Sequence, residues 1–458
     1  MAYIHQDSPE GMNSDLDMFS LLMTNTNVEK TRHVKAFPTT AISSSGPIEF
    51  VIMTGPQQMV DMSDITLIVK QRIVDTNGQS IPGTVLDENE EEVANEHQHV
   101  VPLNYFHASK FKNVEIFINN KLVSSQNNLY PYRAYLEALL SYNRGFKKSH
   151  LCFGMYYKDV NFRHDNFLGI QSEESERSTH VNHGAQIRHK LGGPSQLFET
   201  AGKLHTDLTL QPRPLPPNTE LRIRLHRAEP AFCLHSLTPR QGYTVAIDEA
   251  YLFYQVKTIA PGILVAHAKT LQRAPYRFPL RKVDMKFFSF SSGKQDLSVQ
   301  NLCNGNIPRK VVVGLVRADA FHNTYEKNGF CFEHFSCGTM TMRVNGEPIP
   351  YDSLSMNYDH EIYAEGYYSL LSATGMLNSN RDIGVSVDDY VQGYTLYGFD
   401  LTGDHNADSS AFYLIKEGTV SLECKLLGAS SHGIVMVAYI EYDSVLNIDK
   451  DGQVFFNE

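Results

Sequence analysis

No stretch of this chain approaches the roughly 18 consecutive apolar residues that a membrane-crossing helix requires. With a mean hydropathy of −0.30, the sequence reads as a soluble protein. The six cysteines, Cys152, Cys233, Cys303, Cys331, Cys337 and Cys424, are scattered and form no CxxC pair. They read as free thiols in a reducing compartment. No Asn-x-Ser/Thr acceptor occurs, and the opening segment MAYIHQDSPEGMNSDLDMF has no basic region followed by an apolar stretch, so no secretory leader is expected. Basic charge is also short. A net charge of −11 and a pI near 5.9 argue against a main surface that grips nucleic acid, while leaving room for one basic face. Catalytic signatures are missing as well: there is no GxSxG elbow, no GxxxxGK[ST] phosphate loop, no HExxH and no GxGxxG after a strand. Ser, His and Asp are plentiful, but nothing in the sequence brings them together. No catalytic, cofactor-binding or metal-ligating residue is therefore named, and no cofactor or small-molecule substrate is expected.

What the chain does have is a long internal echo. Residues from Val114 to Ser141, VEIFINNKLVSSQNNLYPYRAYLEALLS, read as a strand, a tight Asn119-Asn120 turn, a second strand and an amphipathic helix over 131–142. Pro131 falls in the first turn of that helix, where it is tolerated. The pattern returns from Thr341 to Ser372, with Asn345-Gly346 as the turn and a helix over 360–372. Its apolar face of Tyr363, Tyr367, Leu370 and Leu371 repeats Tyr132, Leu136, Leu139 and Leu140 at a constant offset of 231. Solenoid repeats recur every 20 to 50 residues. So long a period means a duplicated domain instead, and 458 residues leave room for two.

In chain order, residues 1–45 are polar apart from an apolar island at Leu16, Met18, Phe19, Leu21 and Leu22, and read as an arm that orders against something else or stays disordered. Strands follow at Ile48 to Ile52 and Ile65 to Val74. The acidic run DENEEEVANE from Asp87 reads as a solvated loop, with a cation site at Asp87, Glu88 and Glu90 to Glu92 as the other reading. A long polar stretch from Asn161 to Gln196 carries His164, His180, His183 and His189; it reads as a surface loop, set against a metal site. Thr219 to Arg227 alternates strictly, as a half-buried antiparallel strand does. Tyr243 to Val256 is apolar on both faces and reads as sandwiched. Residues 257–282 link the halves; Arg273 to Lys282 hold four bases and two prolines, which suits a stiff connector or, otherwise, a nucleic-acid-facing surface. The second copy repeats these strands, with Thr419 to Leu427 alternating and Ile434 to Tyr442 closing. It is shorter only where the acidic run and the His-bearing loop stand in the first, as expected where loops tolerate insertion. Many short strands without βαβ alternation imply an all-β chain of two antiparallel sandwiches.

Periodicity leaves jelly-roll and immunoglobulin-like topologies both open, and at this point a resemblance adds to it. The stretches GPIEF at Gly46, NNKLVSSQNNLYPYRAYLEALLSY at Asn119, GKLHTDL at Gly202, ILVAHAKTL at Ile263, VVVGLVRADAFHNTYEKNGFCFEHF at Val311, DDYVQGYTLYGFDLT at Asp388 and YIEYDSVLNIDKDG at Tyr439 resemble the capsid-protein family of Polinton (Maverick) elements and their adintovirus-like relatives. The resemblance spans nearly the whole chain. It implies a double jelly-roll major capsid protein: two tandem eight-stranded antiparallel jelly rolls, each with a short helix after a β-hairpin, at 46–256 and 283–448, with an arm at 1–45, a linker at 257–282 and a tail at 449–458. It further implies homotrimers with six sandwiches that tile an icosahedral shell, neighbouring capsomers and a penton-type minor capsid protein as partners, and only indirect contact with packaged DNA. The location implied is the virion capsid, with synthesis in the host cytoplasm and nuclear assembly left open. Asn77 to His99 and Asn161 to Gln196 become candidate outer tower loops, and the arm and tail candidate bridges at the inner base. The helices at 131–142 and 360–372 are expected to support the core. A single-sandwich penton-type protein and a non-viral carbohydrate-binding sandwich are the alternatives; the two-copy pattern counts against the first, and inward Leu, Ile, Val and Tyr positions against the second.

Overall fold

A computed structural model describes residues 16–19, 21, 23–43, 46–82, 84–86, 92–94, 99–124, 127–160, 181–236, 242–322 and 324–457. In the first half, eight strands carry the architecture: β1 (Val28–Ala36), β2 (Ile48–Met53), β3 (Gln58–Asp75), β4 (Phe111–Ile118), β5 (Lys121–Leu122), β6 (Phe198–Lys203), β7 (Glu220–Arg227) and β8 (Tyr243–Ile259). In the second half the corresponding eight are β9 (Tyr276–Phe290), β10 (Val299–Asn306), β11 (Lys310–Arg317), β12 (Cys337–Val344), β13 (Glu347–Pro348), β14 (Leu396–Asp400), β15 (Glu417–Leu426) and β16 (Ile434–Ile448). The first eight form sheets ordered β1-β8-β3-β6 and β2-β7-β4-β5; the second eight form β9-β16-β11-β14 and β10-β15-β12-β13. Adding eight to each label of the first pair of sheets reproduces the second pair. All these pairings are antiparallel. Each half is a jelly roll, and the chain is a double one, the fold class expected.

Local chemistry explains the elements. In β7 the alternation puts Leu221, Ile223 and Leu225 fully inside, opposite Ile118, Ile116 and Val114 of β4. A register slip of one residue would turn all of these outward. The hairpin turns hold Asn119, Asn120, Asn345 and Gly346 at positive φ, the geometry a two-residue connection needs. The repeated helices are α1 (Tyr130–Ser141) and α4 (Ala364–Ala373), each within a few residues of the expected span; between them in sequence lie α2 (His183–Gly192) and α3 (Pro261–Leu271).

Four expectations are corrected. Strand β1 lies inside the stretch read as an arm, because its backbone pairs with β8 although its side chains are mostly exposed and polar. Strand β9 starts at Tyr276, inside the linker, and Pro279 is accommodated there because β9 is an edge strand. Within the tail at 449–458, Val454–Asn457 add β17 beside β16. Tyr243 to Val256, read as covered on both faces, instead alternates between buried and half-exposed, whereas its counterpart β16 is buried on nearly every residue from Ile434 to Tyr442. The two copies share a fold but not an environment. Leu140 is 6% exposed while its counterpart Leu371 is only partly buried; Leu139 and its counterpart Leu370 are both buried, at 1% and 0%. Leu139→Ala is therefore expected to cost about 2–5 kcal/mol, and Leu371→Ala less, in denaturant titrations of the two variants.

Candidate assembly surfaces

Helix α1 is buried from Tyr130 to Leu140, on all its faces. One stripe serves the first sandwich, and the others meet the second half of the chain. Tyr135 stacks on Phe330 with ring centroids 4.2 Å apart, and Tyr132 contacts both Phe321 and Phe330 at 5.5 Å. The loops around α1 also cap the outer edge of β9. Asn127 Nδ2 donates to the Met285 carbonyl at 3.0 Å, Asp207 Oδ1 accepts the Val283 N–H at 3.1 Å, and Arg213 donates to the Arg277 carbonyl. A bare sheet edge invites unwanted strand pairing, and these side chains occupy it.

A buried polar network lies in the same seam. Arg133 bonds Glu137 at 2.9 Å and Asp207 at 2.6 Å, Glu137 accepts from His205 Nδ1 at 2.8 Å, and His205 Nε2 meets the Tyr105 hydroxyl at 2.7 Å. Burial pushes the Glu137 carboxyl up, but the Arg133 charge and the His205 hydrogen bond prevail and hold it below its ordinary value. For Asp207 burial prevails, and its carboxyl lies above the ordinary value despite Arg133. A second buried pair joins Arg188 of α2 to Asp159 at 2.7 Å; Asn328 reaches the other Asp159 oxygen, and the Tyr394 hydroxyl donates to its carbonyl.

Two bases with no carboxylate among their hydrogen bonds sit deeper in the first sandwich. Lys110 Nζ donates to Gln71 Oε1 at 2.8 Å and Thr200 Oγ1 at 3.0 Å, and His107 Nδ1 lies 3.2 Å from the same hydroxyl. Gly202 is needed beside them, since a Cβ there would come within 2.8 Å of the His107 ring. Burial, and for His107 the nearby Lys110 charge, depress both pKa values strongly. The unfolded chain therefore takes up a proton at His107 below about pH 6.5 that the folded chain refuses. Stability should fall as the pH drops below about 6.5, by at most about 1–2 kcal/mol from this group down to pH 5. His107→Gln should flatten that part of the curve in pH-dependent denaturation, and an unaltered slope would contradict it.

The sequence named no site residues, and Arg133, Glu137, Asp159, Arg188, His205 and Asp207 went unnoticed in it. The available signal was charge on an otherwise apolar helix, and the His-x-Asp pair inside GKLHTDL. The candidate tower loops fare unevenly. Most of the acidic run lies outside the described residues, as do His164 and His180. The part of Asn161 to Gln196 that is described is no open loop: it contains α2, where His183 is exposed, His189 lies 3.0 Å from the Val100 carbonyl and Arg188 is buried. Among the described residues no group of three His, Cys, Asp or Glu side chains is placed to hold a metal ion.

The counterpart of this seam in the second copy is open. Positions Arg133 and Glu137 of α1 correspond to Ala364 and Tyr368 of α4, both exposed, flanked by Ile362, 59% exposed, and by exposed Asp352, Asp359, Glu361 and Glu365. The outer face of β1 and β8, which corresponds to the face of β9 and β16 next to α1, is open too. There His33 stacks on Phe253 at 5.0 Å and meets Asp64 at 3.3 Å, Lys35 lies 4.4 Å over the Tyr251 ring, and Lys70 pairs with Glu249 at 2.7 Å. One open face is apolar and acidic, the other aromatic with charges of both signs.

No protein-family model matches the chain. An uncharacterised Caenorhabditis elegans protein is 22% identical over 436 residues, covering 93% of this chain and 97% of the relative. Among solved structures, a chain of the Sputnik virophage matches with a TM-score of 0.61 at 10% identity, covering 100% of this chain and 94% of that one. A chain of the PBCV-1 virus capsid matches at 0.55 and 9% identity, over 96% and 99% of the two chains. The mavirus major capsid protein matches at 0.54 and 11% identity, over 100% and 97%. At such identities the likeness is one of fold, and it runs through both halves.

Proposed function

We propose that this chain is a major capsid protein of the Polinton and adintovirus-like group, which associates as a homotrimer and tiles an icosahedral shell around a DNA genome. The observation that carries the reading is the pair of open faces. Within one chain, the helix after the hairpin of the first sandwich packs on the outer side of the second; the same helix of the second sandwich and the same side of the first are left uncovered. Repeating the internal contact between chains would cover both. Such a contact is head-to-tail, and it closes into a ring when the rotation allows. Each internal contact turns the direction from one sandwich to the next, and three chains supply six sandwiches for a six-cornered tile. In this reading the chain has no reaction to catalyse, its partners are further copies and a penton-type minor capsid protein, and it resides in the virion. The extra length of the first copy around Asn77 to His99 would face outward.

Expressed protein is expected to be trimeric in light scattering and to yield closed particles by electron microscopy under assembly conditions. A stable monomer at micromolar concentration would remove the reading.

A further inference from the structure

We propose that the apolar segment around Leu16 to Met23 of one copy docks in the basic, apolar groove beneath helix α3 of a neighbouring copy. The inference rests on the assembly reading for its partner, and on separate observations for its site.

The groove has a volume of about 520 Å³ and is lined by Met59, Pro214, Leu271, Pro275, Tyr276 and Phe278 among others, with Arg213 and Arg277 on its walls. That is room for two or three large apolar side chains. Helix α3 forms one wall, and its sequence PGILVAHAKTL is apolar, yet it has no buried residue and Val265 is 55% exposed. A helix so apolar ordinarily has something packed on it. The His267 imidazole, also in this wall, has an Nδ1 that is buried without a hydrogen-bond partner.

The occupant is argued from the same chain. Leu16, Met18, Phe19, Leu21 and Met23 are between 66% and 101% exposed, so the segment finds no cover on its own chain. Charge selects the pairing further. Between residues 1 and 27 there are four acids, Asp7, Glu10, Asp15 and Asp17, and no Lys or Arg. Between Glu249 and Asp284 there are six bases, Lys257, Lys269, Arg273, Arg277, Arg281 and Lys282, and no acid. Position allows the exchange. The arm leaves the fold beside α3, where Asn27 accepts the Ala260 N–H and Val28 pairs with Ile259, so arm and groove lie at the same end of every copy. An extended segment of about ten residues spans about 33 Å, enough to cross to an adjoining molecule. The arm so placed would cover apolar surface on both partners and neutralise the basic run.

The test uses two full-length variants, Phe19→Cys and Thr270→Cys, carrying different tags and co-expressed, then oxidised and separated without reductant. A doubly tagged heterodimer band several-fold stronger than either variant's own dimer, and lost when Leu21→Asp is added to the Phe19→Cys chain, is the expected result. A monomer-sized cross-link that forms only when both cysteines are in one chain would overturn the exchange in favour of docking within a copy. Trimers or particles in light scattering with no cross-link would overturn the docking and leave the assembly reading standing; failure to associate at all would overturn both. Protection of Thr270→Cys from maleimide by duplex DNA, with no cross-link to Phe19→Cys, would assign the groove to nucleic acid and likewise overturn the proposal.

Discussion

Arg133→Ala is expected to lower the unfolding free energy by about 3–5 kcal/mol, because it strands two carboxylates in a buried seam. Arg133, Glu137 and Asp207 are 4%, 5% and 8% exposed, so bulk water replaces the lost guanidinium only poorly. The loss reaches both halves of the chain. Asp207 also accepts the Val283 N–H of β9, and the Tyr439 phenol of β16 is subject to the charges of the same three groups. Replacing Arg133, Glu137 and Asp207 together by apolar residues should cost less than Arg133→Ala, since no charge is then left unpaired and only the Val283 N–H and the neutral His205 Nδ1 lose their acceptors. Denaturant titration at pH 7 decides it: a midpoint for Arg133→Ala within error of the parent, or a triple variant much weaker than the single, would contradict the ordering.

The second large effect concerns association. Ile362→Glu combined with Tyr368→Glu should convert a trimer into a folded monomer. If both side chains are covered between copies, each contributes about 1.5–3 kcal/mol of apolar burial. Their joint loss of about 3–6 kcal/mol weakens each contact by roughly 10²–10⁴-fold, before counting repulsion from charges added beside Glu361 and Glu365. Both positions are already exposed in the single chain, so its own fold should keep its melting temperature apart from whatever the trimer contributed. Light scattering and thermal melting of the same sample separate the two outcomes; an undiminished trimer would place the contact elsewhere.

How far the sequence reached can be followed on α1 and α4. Periodicity located both helices, and the offset of 231 between Tyr132 and Tyr363 or Leu139 and Leu370 revealed the duplication. The stripe it identified is buried in α1, with Tyr132 reaching Phe321 and Phe330 of the other half, and is only partly buried in α4. Arg133 and Glu137 lie off that stripe and went unnoticed because a single helix cannot report what lies on its far side. In α1 that far side is another sandwich; at the matching Ala364 and Tyr368 it is open. The same reasoning accounts for β8 and β16, two closing strands of similar composition, of which only β16 is covered on both faces. It accounts for β1 as well. Its exposed side chains, VEKTRHVKA, read as an arm, and its place in the sheet comes from backbone bonds to β8 that side-chain hydrophobicity does not encode.

Alternation of apolar residues, turn residues that accept positive φ and a repeated hairpin-plus-helix pattern are local features, and they determined by themselves that the chain is two copies of one antiparallel sandwich. Which surfaces are seam and which are free was decided only in three dimensions. The two copies carry nearly the same local code, and the difference between them arises from contacts between residues far apart in the chain, such as Arg133 with Asp207 and Tyr135 with Phe330, whose energies depend on burial that no single segment possesses alone.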